Sequence, residues 1–210
     1  MNELLVYILI LALSLWLLAR PYESQATSNN LMQGQLRRLW LDAKQNLAQN
    51  NRTRAERSLL ALLKLDAKNV LAYDRLGIMY AQQGLKKEAI ECFEISSSIS
   101  QQAGSFHNLA LVYYNDGQYE KAARAFEHAI EKDPENPTRY MALAKTFEKM
   151  EEPKAAIKEL EKAHRLSPGG QGSVMLINAY KQIGEPELAA QVVEESRKLR
   201  KLAQKATTAK

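Results

Sequence analysis

The chain has 210 residues, 46% of them hydrophobic and 25% charged, with a formal net charge of +5. Its single cysteine, Cys92, excludes an internal disulfide, and the scarcity of proline (six) and glycine (nine) beside many Ala, Leu, Lys, Glu and Gln predicts an all-α chain. The positive charge is local: Arg197 to Lys210 holds six basic residues and no acid, and the other 23 basic residues nearly balance 24 acidic ones. A nucleic-acid-binding domain spreads its basic charge over a folded face, so nucleic acid is not an expected partner.

In chain order, the first element is the uncharged stretch Leu4 to Ala19, LLVYILILALSLWLLA. Sixteen helical residues reach about 24 Å at roughly 1.5 Å each, short of but close to a hydrocarbon core of about 30 Å. Tyr7 and Trp16 stand toward its two ends, where interfacial aromatics collect. Residues 1–20 are therefore expected to form an N-terminal transmembrane helix that meets the membrane through residues 4–19. No Lys or Arg precedes the stretch, whereas Arg20, Arg37 and Arg38 follow it, which predicts a single-pass protein with a cytoplasmic carboxyl side. The alternative is an exported chain, cleaved after the small-residue triplet Ser24-Gln25-Ala26. Pro21 stops the helix, and residues 21–31 form a polar linker.

From there on the sequence repeats itself. Leu76-Gly77-x-x-Tyr80, then Gly84, Ala89, Phe93 and Ser96, returns as Leu109-Ala110-x-x-Tyr113, then Gly117, Ala122, Phe126 and Ala129. It returns again as Leu143-Ala144-x-x-Phe147, then Glu151, Ala156, Leu160 and Ala163, and a fourth time as Leu176-Ile177-x-x-Tyr180, then Gly184, Ala189, Val193 and Ser196. The offsets are 33, 34 and 33 at every position. Residues four apart share one helix face. The small residues let two helices approach, the large apolar residue fills the space between them, and glycine ends the first helix in the left-handed conformation. Pro153 and Pro186 fall near the start of second helices. An earlier, degenerate copy has Ala55 and Leu59 in register, preceded by a helix whose apolar side holds Leu36, Leu39, Trp40, Ala43 and Leu47.

This pattern resembles the tetratricopeptide-repeat (TPR) family: an aromatic residue (Tyr73, Phe106 or Tyr140), then Leu-Gly or Leu-Ala, Tyr or Phe, Ala, a large apolar residue and Pro. The resemblance implies a TPR α-solenoid, a right-handed superhelix of helix–turn–helix units, over residues 32–202. The units are about 34–69 (degenerate), 70–102, 103–136, 137–169 and 170–202, followed by a basic tail, 203–210. After Val193 the last helix is expected to run on as a soluble, basic segment in which Leu199 and Leu202 cover the last interface, with no separate capping helix visible.

No catalytic constellation is present in the sequence. His107, His128 and His164 lack the short spacing of a helical zinc site, and there is no Cys-x-x-Cys. Gly169-Gly170-Gln171-Gly172 lacks the Lys-Ser/Thr of a phosphate loop. No cofactor, no metal and no enzymatic activity are expected. Cys92 reads as a small residue on a helix.

What the resemblance implies is a concave groove for a protein or peptide partner, lined by the first helices of the hairpins. Its candidate residues are Asp74, Ile78, Ala81, His107, Asn108, Leu111, Tyr114, Asn115, Met141, Lys145, Lys149, Asn178 and Lys181. Some family members clamp a chaperone's terminal carboxylate. Of that clamp only Asn108 falls on a matching position, and Asp74, Ile78, Thr138 and Ala142 stand where the others belong, so that specificity is not expected. The groove is apolar and acidic early, then basic at Lys145, Lys149 and Lys181, which suits a guest with an apolar stretch and an acidic end. The basic tail is a second candidate contact, for anionic lipid or an acidic partner.

Overall fold

In the computed structural model, the described residues are Leu11, Leu13, Ser14 and 29–208, with the side chains of Arg200 and of 203–208 left aside. All regular structure among them is helical. The chain divides into two compact units, Met1–Ala72 and Tyr73–Lys210.

The first unit contains α1 (29–48) and α2 (Arg52–Leu65). Ala43, Ala55, Leu59 and Leu62 form its buried apolar side. The two helices are tied by the Ser58 hydroxyl, which donates to the Asp42 carboxylate. Beyond α2, the Asn69 side chain accepts from Ala72 N–H at 3.0 Å and caps the next helix, while its amide donates to Asp66.

The second unit takes in α3 (Val70–Gln82) from Tyr73 onward, α4 (Lys86–Ser100), α5 (Ala103–Asn115), α6 (Tyr119–Lys132), α7 (Pro137–Lys149), α8 (Pro153–Leu166), α9 (Gln171–Gln182) and α10 (Pro186–Thr208). Neighbours in sequence pack as neighbours in space: α4 on α5, α5 on α6, α6 on α7, α7 on α8, and α9 on both α8 and α7. α6 shows why. Ala122, Ala125, Phe126 and Ala129 are buried, while Glu120, Lys121, Arg124 and Glu127 face out. Phe93 and Phe126, each about 1% exposed, anchor one core with Leu109 and Leu143. Leu160 and Leu176 anchor the next, with Ala144, Ala156 and Ala189 closing the gaps. Each buried large side chain stabilises by roughly 1.5–3 kcal/mol.

The first helices close alike. The N–H just after the left-handed residue returns to the carbonyl five residues back: Leu85 to Tyr80 (3.0 Å), Gln118 to Tyr113 (2.9 Å), Glu152 to Phe147 (2.9 Å) and Glu185 to Tyr180 (2.8 Å). This closure requires a left-handed residue. Gly84, Gly117 and Gly184 supply it at φ 77°, 79° and 80°, and Glu151 adopts it at φ 61°. In the first unit the same bond runs from Asn51 to Asn46 at 2.8 Å, with Asn50 at φ 56°.

The expectation of a single-pass membrane protein needs correction: among the described residues no helix is long and apolar enough to cross a membrane. A span needs about 20 predominantly apolar residues, and the helices here are amphipathic. Even α10, with 23 residues, carries Glu, Arg and Lys throughout. Apart from Leu11, Leu13 and Ser14, residues 4–19 lie outside the described residues, as does most of the linker, 21–28, and the tail end, 209–210.

Candidate protein-binding groove

The first helices α5, α7 and α9 stand side by side and enclose a concavity of about 330 Å³. Helical spacing builds its lining. His107, Leu111, Tyr114 and Asn115 project from α5; Thr138, Met141, Ala142 and Lys145 from α7; Gln171 and Met175 from α9. Phe126 of α6 also reaches it, beside the ring of His107, whose centroid lies 5.3 Å away edge-on. The lining is therefore apolar at Leu111, Met141, Met175, Tyr114 and Phe126, with polar groups from Asn115, Gln171 and Lys145 around it. Methionine adapts its shape to different guests. An edge-on contact with Tyr119 at 5.6 Å orients Tyr114.

His107 is the one lining residue with an unsatisfied buried atom. Its Nδ1 is sealed from solvent and has no hydrogen-bond partner. Burial, and then the charge of Arg139, hold its pKa below the ordinary value of 6.5, so the ring is neutral at pH 7. Arg139 is itself buried, with its guanidinium on the Asp133 carboxylate. The α5–α6 turn beside the groove is pinned by Lys86, whose ammonium donates to the Asn115 carbonyl at 2.9 Å and lies 3.2 Å from Asp116.

Of the sequence-derived groove residues, the concavity gathers His107, Leu111, Tyr114, Asn115, Met141 and Lys145. Asp74 is engaged elsewhere. Its carboxylate accepts from the hydroxyls of Ser96 (α4) and Ser105 (α5), which lie 2.8 Å apart, and so ties three helices together. Ile78 packs on the Phe93–Phe126 core. Asn108 is half-buried on α5 outside the lining, and Ala81, Lys149, Asn178 and Lys181 are exposed outside it. Thr138, Ala142, Gln171, Met175 and Phe126 join the lining without having been assigned to it. The repeat offset carried the signal for two of them: Asn108 moves onto Ala142 and then Met175 by 34 and 33.

Among the described residues no group of three His, Cys, Asp or Glu side chains could hold a metal ion. Cys92 is buried, and burial, with Glu91 and Glu88 nearby, pushes its thiol up to about 11, leaving it protonated and unreactive at neutral pH.

Stacked helical hairpins with left-handed closures, apolar cores between successive hairpins and a side-chain-lined concavity define a helical-repeat protein, the class that serves as a scaffold for protein–protein interaction. The chain belongs to the tetratricopeptide-repeat family: models described as tetratricopeptide repeat match residues 43–96, 103–136 and 137–169. No curated protein matches the sequence. Among solved structures, a crystal structure of MamA protein is similar over 82% of this chain and 94% of its own, with 22% identity and a TM-score of 0.70. MamA 41-end from Desulfovibrio magneticus RS-1 aligns over 80% and 96%, with 16% identity and a TM-score of 0.68. YrrB, described as a TPR protein with an unusual peptide-binding site, aligns over 79% and 88%, with 19% identity and a TM-score of 0.62. At these identities the likeness is one of fold.

Proposed function

We propose that this chain is a non-enzymatic adaptor that holds a segment of a partner protein in the concavity between α5, α7 and α9 and thereby assists assembly of a larger complex. The observation that carries the reading is the lining itself: apolar side chains from three consecutive first helices, with Lys145 at its edge. The guest is a peptide segment with apolar side chains over Leu111, Met141 and Met175 and an acidic residue toward Lys145. Lys149 extends the same basic side one turn along α7. YrrB's described peptide-binding site on a similar fold supports the reading.

The test is fluorescence anisotropy with a labelled panel of apolar–acidic peptides against the full chain. Leu111→Asp and Lys145→Glu are each expected to weaken the best binder at least ten-fold. Binding that survives both substitutions, or that is unchanged when the peptide's acids are replaced by Lys, overturns the reading.

A further inference from the structure

A second seat lies at the far end of the stack, between α9 and α10. A hollow of about 430 Å³ is lined there by Val174 and Ile177 of α9 and by Val193, Ser196, Arg197 and Lys201 of α10. The repeat shows which side chains are left uncovered there. Phe93, Phe126 and Leu160 occupy one register position and are 0–1% exposed, because the first helix of the following hairpin covers each; Val193, the next in that series, is 40% exposed. Ala144 is fully buried, whereas Ile177, its counterpart, is only half-buried, and Val174 is 53% exposed. No described helix follows α10.

Ser196 adds a second, independent mark. It is 91% buried, and its Oγ has no hydrogen-bond partner. Its counterpart one hundred residues earlier, Ser96, reaches Ser105 on the incoming helix α5. At the α8–α9 junction the same position is Ala163, and there it meets Gly172 so closely that a Cβ on Gly172 would lie 2.9 Å from the Ala163 methyl. Ser105 and Gly172 both stand four residues before their hairpin's anchoring leucine, Leu109 and Leu176. One residue further along, Ser173 bonds His164 at 2.7 Å, and the counterpart of His164 in the last hairpin is Arg197.

We infer that this end face docks an amphipathic helix of an acidic partner protein, seated as the first helix of a further hairpin would be. A hydroxyl residue of that helix bonds Ser196, the next residue is acidic and faces Arg197, and an apolar anchor four residues after the hydroxyl enters between Val193 and Ile177. Arg197 and Lys201 set the sign of the charge. The contact of Arg197 with Glu194, 3.4 Å apart and exposed on both sides, is the kind worth little in water and is readily exchanged. A second copy of the chain is the wrong occupant, because its α1 brings Arg37, Arg38 and Lys44 against Asp42 alone.

The experiment titrates the full chain into a fluorescein-labelled peptide of residues 169–183 carrying Gly172→Ser, Ser173→Glu and Lys181→Glu. A sister peptide with Ser173→Lys and the native Lys181 is the control. The acidic peptide is expected to bind at least ten-fold more tightly than its sister. It should lose at least ten-fold on Val193→Asp and on the pair Arg197→Glu with Lys201→Glu, and keep its affinity on Leu111→Asp, which separates this seat from the concave groove. If Val193→Asp lowers the melting midpoint, the exposed charge-reversal pair carries the test. Equal binding of both peptides, or indifference to the end-face variants, overturns the inference. So does a chain dimer in sedimentation that Val193→Asp dissolves, or retention by phosphatidylserine vesicles without peptide binding.

Discussion

The phenol of Tyr113 on α5 donates its proton to the carboxylate of Glu94 on α4. Sixty-seven residues on, at the same register, Tyr180 of α9 donates to Glu161 of α8 at 2.7 Å. The signature tyrosine of a first helix thus clasps the second helix before it. Burial, and then the hydrogen bond and charge of the glutamate, push both phenols up to about 12. A phenol with a raised folded pKa supports the fold fully below its unfolded value, about 10, and loses that support as pH rises through 12. Absorbance titration at 295 nm is expected to show Tyr113 and Tyr180 ionising late, and Glu94→Ala with Glu161→Ala to bring them down.

Between those two clasps stands an interface without one. Phe147 occupies the tyrosine position and the exposed Glu127 the glutamate position, and no hydroxyl is there to join them. Phe147→Tyr is expected to raise stability by about 0.5–1.5 kcal/mol, the usual net worth of such a bond. Urea denaturation checks it, and the gain should vanish when Glu127→Ala is added.

Gly77 is fitted to a ring. A methyl group there would sit 2.8 Å from the far end of Phe93, which is itself fully enclosed. Gly77→Ala gains up to about 1 kcal/mol of helix propensity but forces a packed core to yield, at roughly 1–3 kcal/mol, so a net loss of about 1 kcal/mol is expected. Gly104 on α5 has nothing within 4 Å of a would-be methyl, and Gly104→Ala should stabilise by about 0.5–1 kcal/mol. Parallel thermal melts that shift in opposite directions verify the pair; both rising would mean that the ring moves aside.

The hairpin register was legible because identical packing problems recur every 33 or 34 residues, and a recurring constraint writes a recurring residue. The helices, their glycine closures and the Phe93–Phe126–Leu160 series all came from that. The concavity was legible only in part. Asp74 looks like a groove residue on its own helix, and its engagement by Ser96 and Ser105 depends on hydroxyls from two other helices. Lys149, Asn178 and Lys181 share the facing side, but the lining closes around Lys145. The bare end face was visible only as the absence of a capping pattern; its depth and the stranded Ser196 hydroxyl needed coordinates.

Glu151 is the residue at which the repeat breaks its own rule. It sits at φ 61° where Gly84, Gly117 and Gly184 sit, and its chain closes with the same helix-ending bond, Glu152 N–H to the Phe147 carbonyl. An L-residue with a side chain pays about 1–2 kcal/mol for the left-handed conformation, and part of that is offset because glycine loses more entropy on folding. Glu151→Gly is therefore expected to raise stability by about 0.5–1 kcal/mol. Glu151→Ala separates the causes: it removes the carboxylate but keeps the Cβ, so it should leave stability unchanged if backbone conformation decides. Gly117→Ala, the reverse change at φ 79°, should cost about 1 kcal/mol. Urea midpoints of the three variants give the order Glu151→Gly above the parent and Glu151→Ala, with Gly117→Ala lowest. If Glu151→Ala matched Glu151→Gly, the gain would belong to the lost charge, and the left-handed turn would carry no strain to relieve.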